Sequence, residues 1–117
     1  MVNDIAYGGF IVSKNVLAGL PIRYSYREKS SIPQCNGWTI LSPKDDEEYI
    51  HNPENFAIVS ASTIAAHNPL MLELVDCPYG TDLMWVYHKG VHVGFYDMVS
   101  ECEVTLKELI KRKKGSL

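Results

Sequence analysis

The sequence predicts a single α+β domain with a mostly antiparallel sheet of five to six strands, short helices and a C-terminal helix. Short apolar, β-branched runs recur along the chain, and helix-capping residues with proline stops lie between them. Two of these runs are separated only by Lys89-Gly90, which is the pattern of a β-hairpin. Strands mixed with short helices are typical of this class. The length of 117 residues suits one domain, so we assign 1–117 to it.

Three strands are predicted in the first part of the chain. Gly9–Ser13 is short, apolar and β-branched, as expected of a buried strand. Ile22–Arg27 alternates with a period of two, which places its even-numbered residues on one face and its odd-numbered residues on the other. Gly37–Leu41 follows a polar loop and forms the third strand.

A short acidic helix is predicted directly after the third strand. Ser42 is a suitable N-cap, Pro43 suits the first helical position, and Asp45 completes a capping-box pattern with Ser42. Asn52-Pro53 should end this helix after about two turns, because a proline disfavours helical backbone at the residue before it.

The middle of the chain predicts one more strand and two short helices. Phe56–Ser60 is apolar and forms the fourth strand. Ser62 is predicted to cap a helix that Asn68-Pro69 stops, and the apolar block Leu70–Val75 is predicted to be a further helical turn.

A hairpin and an amphipathic helix are predicted to complete the fold. Asp82–Tyr87 and Val91–Tyr96 are rich in aromatic and β-branched residues and flank Lys89-Gly90. Val104–Lys114 has apolar residues at helical spacing and ends in the basic run Lys111–Lys114. Basic residues complement the macrodipole at a helix C-terminus, so we interpret the run as a helix end and not as a nucleic-acid site.

Composition indicates a protein of the cytosol that binds neither nucleic acid nor membranes. The chain is 46% hydrophobic and 21% charged, as in ordinary globular domains, and its net charge of −3 argues against phosphate binding. No apolar run approaches the roughly 18 residues of a membrane span, and no signal peptide is visible. Cys35, Cys77 and Cys102 are odd in number and far apart, which favours reduced thiols and a cytoplasmic location.

A series of short motifs occurs in a fixed order along the chain. They are Val12-Ser13-Lys14 with Val16 and Gly19, Tyr26-Arg27-Glu28, Gly37-Trp38, the segment from Ser42 to Tyr49, Asn52-Pro53-Glu54-Asn55, and Pro78-Tyr79-Gly80. Together they resemble the immunity protein 33-like domain, a bacterial family first catalogued as a domain of unknown function. The resemblance covers residues 8–97 and is closest up to Gly80. It implies a protein that neutralises a toxin used between competing bacteria, and it carries over no catalytic residues.

The acidic quartet Asp45, Asp46, Glu47 and Glu48 is the first candidate for contact with a partner. Consecutive residues on a helix point about 100 degrees apart, so the four carboxylates cannot converge on one metal ion. Acidic residues near a helix N-terminus are also favoured by the helix dipole without any function. If the quartet has a function, we expect it to bind a basic protein surface, and we predict no metal site.

Aromatic residues and one arginine are the next candidates. Trp and Tyr are enriched at binding hot spots but also fill cores, so Trp38 has both interpretations, while Tyr49 is expected to be partly exposed. Trp85 and Tyr87 of the hairpin belong to the same group. Arg27 is predicted either to orient a partner carboxylate or to form an ordinary surface ion pair.

Histidines and cysteines give no support for catalysis. His88 and His92 flank the hairpin turn; they lie on opposite faces if the loop has two residues and on one face if it carries a bulge, and we expect both to be exposed. A hydrolase that uses Cys35 or Cys77 would need a histidine within hydrogen-bond reach of the thiol. The aromatic hairpin leaves open a small-molecule binding or regulatory domain.

The sequence therefore predicts a non-enzymatic protein that binds a protein partner, with no cofactor and with its oligomeric state open. The predicted partner-binding residues are Arg27, Trp38, Asp45, Asp46, Glu47, Glu48 and Tyr49.

Overall fold

Within the described residues, 4–115, seven strands form one sheet in this computed structural model. Side chains are described from residue 4 to 112. The strands in chain order are β1 (Gly9–Ser13), β2 (Tyr24–Arg27), β3 (Cys35–Leu41), β4 (Phe56–Val59), β5 (Asp82–His88), β6 (Val91–Asp97) and β7 (Cys102–Val104). Their spatial order is β4-β1-β3-β2-β5-β6-β7. All neighbouring pairs are antiparallel except β1 with β3.

Short helices connect these strands and a longer one ends the chain. They are α1 (Asp4–Tyr7), α2 (Lys14–Leu17), α3 (Glu47–Ile50), α4 (Ala61–His67), α5 (Leu70–Leu74) and α6 (Leu106–Gly115), with a 3-10 turn at Pro53–Asn55. The predicted α+β class is confirmed. No helix between Asp4 and Gly115 has the length and apolarity that a bilayer crossing requires.

The sheet has one strand more than predicted, because the chain before the last helix is extended. β7 is only three residues long, and Val104 is its one buried residue, so it has too little pattern to be recognised. The helix begins at Leu106 and not at Val104, since Thr105 is its cap. The Glu108 N–H donates to Thr105 Oγ1 at 3.1 Å, and the Thr105 N–H donates to Glu108 Oε1 at 3.2 Å, which is a capping box.

One face of the sheet, the covered face, packs against helices and forms the core. Alternate residues of the strands point to this face, and those completely or almost completely buried are Phe10, Val12, Trp38, Ile40, Leu83, Trp85 and Phe95. They meet apolar side chains from α4, α5 and α6, namely Ile64, Met71, Leu74 and Leu109. Burying one such side chain contributes roughly 1.5–3 kcal/mol, so this layer is the main apolar stabilisation of the fold.

The acidic helix starts later than predicted and makes a single turn. Ser42 and Asp45 do hydrogen-bond, with the Ser42 N–H donating to Asp45 Oδ2 at 2.7 Å, but the backbone between them forms a turn and not a helix. Helix α3 is capped instead by Asp46, whose Oδ1 accepts from the Tyr49 N–H at 2.8 Å. Asp45 also accepts from Asn15 Nδ2 at 2.7 Å, and this long-range contact holds the segment away from helical geometry.

The cap of helix α4 is shifted in the other direction. Ser60 Oγ accepts from the Thr63 N–H at 3.3 Å, so the cap lies two residues before the predicted cap, Ser62. The hydroxyl of Ser62 is used elsewhere, because it donates to Asp4 Oδ1 at 2.8 Å. A contact with the N-terminal helix α1 therefore decided which serine caps α4.

The hairpin has the predicted two-residue turn, followed by a β-bulge. His88 pairs with Val91 across Lys89-Gly90, and both turn residues have positive φ, at 50° and 79°. Tyr87 pairs with His92 but Val86 pairs with Gly94, so Val93 is an extra residue in β6. His88 is exposed, whereas His92 lies on the covered face with its ring centroid 4.8 Å from that of Trp85. The expectation that both histidines are exposed is therefore wrong for His92.

The basic run at the end of α6 partly serves to attach the helix to the sheet. Arg112 donates from one guanidinium nitrogen to Asp97 Oδ2 at 2.6 Å. Asp97 is almost fully buried and also accepts from the Val99 N–H at 2.9 Å. The side chains of Lys113 and Lys114 lie outside the described residues, so for Arg112 the predicted structural use is seen, and for the last two lysines it stays a prediction.

Candidate partner-binding surface

Helix α3 presents three of the four predicted carboxylates to solvent. Asp46, Glu47 and Glu48 are exposed, and Tyr49 beside them is half-buried. The Tyr49 ring meets that of Phe56 edge-on, with centroids 6.1 Å apart. Asn55 Nδ2 donates to the Tyr49 carbonyl oxygen at 2.9 Å. These contacts fasten α3 to the 3-10 turn, so the three carboxylates have a defined position on the surface.

An acidic cleft of about 380 Å³ lies directly beside these carboxylates. Its walls are Asp46, Glu48, Tyr49, Asn52 and Asn55. The cleft therefore brings together two of the predicted acidic residues and the predicted tyrosine, with two amide side chains that sequence reasoning did not single out.

Asp45 differs from its three acidic neighbours because its carboxylate is used inside the protein. Burial by itself raises the pKa of Asp45, but hydrogen bonds from Ser13, from the Ser42 backbone N–H and hydroxyl and from Asn15 outweigh it, and the pKa lies below its ordinary value. The carboxylate joins the turn after β3 to the start of α2. Asp45 therefore links two parts of the fold. Its carboxylate oxygens are less available to a partner than those of the exposed carboxylates at α3.

The Arg27 guanidinium is likewise engaged internally. Its Nε donates to the Asn36 carbonyl oxygen at 2.9 Å, and one terminal nitrogen donates to the Cys77 carbonyl oxygen at 2.8 Å. The ring of Tyr79 covers the group, with its centroid 4.4 Å from the guanidinium carbon. Arg27 thus joins β2, β3 and the loop before β5, and neither predicted role describes it.

Of the two interpretations of Trp38, a binding residue or a core residue, the second is correct. Its side chain is 0% exposed, and Nε1 donates to the Val75 carbonyl oxygen at 2.9 Å. A partner cannot reach this ring on the folded protein, so Trp38 is no part of the surface that we consider below.

The structure also shows an apolar groove that the sequence analysis missed. This open-face groove lies on the face of the sheet opposite the covered face, has a volume of about 440 Å³, and adjoins α3. Its apolar lining includes Ile11, Ile32, Ile50, Pro53, Phe56 and Ile58. A signal was present in β1, where Phe10-Ile11-Val12 is apolar on both sides of a strand. Such a run indicates that the second face of the sheet also presents apolar surface.

Carboxylates lie close to the wall of the open-face groove that is farther from α3. Tyr26 lines the groove and pairs with Thr39 and Asp82 in the sheet. Burial raises the pKa of Tyr26, and the nearby charges of Glu28 and Asp82 raise it further, against a hydrogen bond with Thr39 that lowers it. Two carboxylates, those of Glu28 and Asp82, therefore lie close to this wall of the groove.

The other candidate sites from the sequence are not assembled as predicted. Trp85 is fully buried and donates from Nε1 to Ser25 Oγ at 2.8 Å, and Tyr87 donates its hydroxyl to the Ile22 carbonyl oxygen at 2.6 Å. A cavity of about 630 Å³ does adjoin the hairpin; His92 and Phe95 of the hairpin line it, whereas Trp85 and Tyr87 do not. Cys77 is 1% exposed and Cys35 is half-buried. Among the described side chains, no group of three or more His, Cys, Asp or Glu is placed to hold a metal ion.

Comparison with known proteins agrees with the resemblance noted in the sequence. Residues 10–93 match the family described as Immunity protein Imm33 domain. Both α3 and the open-face groove fall within the matched residues. No curated protein and no solved structure matches the chain. Since the match spans well over half of the 117 residues, the chain belongs to the Immunity protein Imm33 domain family.

Proposed function

We propose that this protein is a cytosolic immunity protein that neutralises a toxin by binding it directly, without catalysing a reaction. The observation that carries the proposal is membership of an immunity family over residues 10–93. The surface that we assign to the toxin is centred on Asp46, Glu47, Glu48 and Tyr49, which α3 holds together. Of the other predicted residues, Asp45 directly precedes the cap of α3, whereas Arg27 and Trp38 are engaged elsewhere in the fold and are not assigned to this surface.

The charge of this surface favours a basic partner. Asp46, Glu47 and Glu48 are exposed on α3, and Glu54 is exposed in the 3-10 turn that α3 packs against. A compact set of like charges steers an oppositely charged protein during encounter and raises the association rate more than it slows dissociation. Screening by salt should weaken this steering, because exposed charges interact over a Debye length of about 8 Å at physiological ionic strength.

A protein partner fits this region better than a small molecule does. Small-molecule pockets combine apolar walls with several polar groups that converge on the ligand. The open-face groove is lined mainly by isoleucine, proline, phenylalanine and alanine, and Tyr26, Thr39 and His51 are its only titratable or hydroxyl-bearing lining residues among the described side chains. An apolar centre beside a charged rim is instead the arrangement of protein–protein interfaces.

The proposal is tested with toxins encoded beside the gene in the native genome. Each is produced with the tagged protein, and we measure growth rescue together with the stoichiometry of the purified complex. We expect one toxin to be neutralised and recovered at near-equal molar amount. Failure of every neighbouring toxin to bind or to be neutralised would contradict the proposal.

A charge-reversal pair then tests the assigned surface. Replacing Glu47 and Glu48 by Lys should slow association with the toxin by roughly tenfold at low salt, while the far-UV spectrum stays unchanged and the free energy of unfolding falls by about 1 kcal/mol or less, from the lost interaction with the start of α3. Glu103→Lys on β7 is the matched control, since that carboxylate is also exposed but lies near the opposite end of the sheet. Equal effects of the two changes would place the interface elsewhere.

A further inference from the structure

The open-face groove leaves large apolar side chains in water on an otherwise ordinary surface. Ile58 is 55% exposed and Ile32 is 37% exposed, and both line the groove. Ile58 belongs to β4, which is the edge strand of the sheet, and it pairs with Ile11 of β1. A contiguous exposed apolar patch with a polar rim is characteristic of an interaction site.

The rim of the groove is predominantly acidic on both sides. On the α3 side, Ile50 and Pro53 of the groove lining belong to the segment that also carries the exposed carboxylates of Asp46, Glu47, Glu48 and Glu54, with Lys44 as the neighbouring positive charge. On the other side, a smaller cleft of about 210 Å³ continues from the groove and is lined by Glu28 and Lys29. The carboxylates of Glu28 and Asp82 both act on Tyr26, and they hold its pKa above the ordinary value together with burial, which is the larger cause. Carboxylates therefore outnumber cations on both sides of the apolar floor, where Lys44 and Lys29 are the neighbouring positive charges.

We infer that the open-face groove accepts an aliphatic or aromatic side chain of the toxin, presented on a segment that carries Lys or Arg on both sides of it. The inference rests on the proposed function and specifies the partner of the same surface. The apolar anchor would displace water from Ile11, Ile50 and Ile58, while the flanking cations would face the carboxylates of the rim. Burial of the anchor supplies affinity, and the flanking charges supply orientation and rate.

The first experiment uses short synthetic peptides and does not require the toxin. One peptide has Leu-Phe at its centre with Lys-Arg on each side; a second replaces Leu-Phe by Ser-Ser; a third replaces the cations by Glu. We titrate each into labelled protein and follow the backbone amide resonances of Ile11, Thr39 and Ile58. We expect the first peptide to bind roughly tenfold to a hundredfold more tightly than the second, and the third not to bind.

A matched pair of variants shows whether the binding occurs in the groove. Ile58→Asp places a charge on the groove floor, and Val91→Asp makes the same change on β6, where Val91 is 64% exposed. Both positions are exposed in strands near the ends of the sheet, so both variants should fold. We expect Ile58→Asp to weaken binding of the first peptide at least about tenfold and Val91→Asp to leave it unchanged.

The outcomes separate this inference from the proposed function. Equal binding of the Leu-Phe and Ser-Ser peptides, resonance shifts confined to the hairpin, or concentration-dependent self-association through this face would overturn the groove assignment. If the cognate toxin is neutralised equally by the wild type and by Ile58→Asp, the groove assignment is wrong and the immunity function stands. If the peptides bind as expected but no toxin is neutralised, the groove assignment stands and the immunity function is wrong.

Discussion

The two faces of the sheet differ in what their side chains contact. On the covered face, large apolar groups meet helices, and Trp38 and Trp85 each have a hydrogen-bond acceptor for the indole N–H. On the open face, Ile11 and Ile58 line a groove, and Ile58 is largely in water. The two environments alternate within a single strand, since Trp38 and Thr39 are neighbours in β3. The covered face therefore specifies the fold, and the open face is available for recognition.

The largest effect that this comparison predicts is at Trp38. Trp38→Ala should lower the free energy of unfolding by about 3–5 kcal/mol, because it leaves a cavity and removes the bond to the Val75 carbonyl oxygen. Thr39→Ala on the other face should cost less than about 1 kcal/mol. Urea unfolding followed by fluorescence and circular dichroism measures both. Similar losses of unfolding free energy for Trp38→Ala and Thr39→Ala would show that the two faces contribute equally to stability.

A somewhat smaller loss of stability is expected at Gly37, where two backbone segments are in close contact. Gly37 has a φ of +94°, and a Cβ there would lie 2.2 Å from the Glu28 carbonyl oxygen. Gly37→Ala should therefore cost about 2 kcal/mol or more, from the left-handed conformation and the clash together. Gly90 has a φ of +79° with nothing within 4 Å of such a Cβ. Gly90→Ala should cost about 1 kcal/mol, and a smaller loss at Gly37 than at Gly90 would refute the close approach.

The pH dependence of stability should separate Asp45 from the exposed carboxylates. Its pKa in the folded protein is lower than the ordinary 3.8, so its stabilisation is fully present above that value and is lost as the pH falls through the folded pKa. Asp45→Asn should lower the free energy of unfolding at about pH 7, and the difference from wild type should shrink at about pH 2.5. A difference that stays constant between the two pH values would contradict a stabilising charge at Asp45.

The smallest effect on stability is expected on α3. Glu47→Gln should change the free energy of unfolding by less than about 0.5 kcal/mol, because Glu47 is exposed and its interaction with the start of a single-turn helix is weak. The same urea titration measures it. A loss above about 1 kcal/mol would mean that this acidic helix supports the fold and is not reserved for a partner.

Much of the sheet was predictable because most of its strands are short apolar or β-branched runs bounded by turn residues. The hairpin turn at Lys89-Gly90 was readable for the same reason, since it depends only on neighbouring residues. The start of α3 was not, because the Ser42–Asp45 hydrogen bond forms across a turn, and Asp46, which the sequence analysis did not consider as a cap, begins the helix. The two-residue turn correctly places His92 on the face opposite His88, but its burial was missed because it depends on packing against Trp85 and Phe95, which no local signal marks.

The candidate surface was only partly predictable. The exposed carboxylates of α3 could be named from composition, but whether a carboxylate is used inside the protein depends on tertiary contacts, and this is what distinguishes Asp45 from Asp46. The same holds for Arg27, whose acceptors come from β3 and from the chain before β5. The open-face groove requires β1, β3 and β4 to lie side by side, and pairing between distant strands is not encoded in any one segment.

The bulge in β6 also bears on how this protein behaves when it is concentrated. Strand β7 pairs only with Phe95–Asp97, so among the described residues the rest of β6 has no strand beyond it, and Val91 and Val93 are exposed there. The extra residue disturbs the regular spacing of N–H and C=O groups that a neighbouring chain would need, and His92 Nε2 donates to the Gly94 carbonyl oxygen at 2.8 Å. Without the bulge, this apolar end of β6 could pair with a strand of another molecule. We therefore expect this protein to resist fibril growth from that edge.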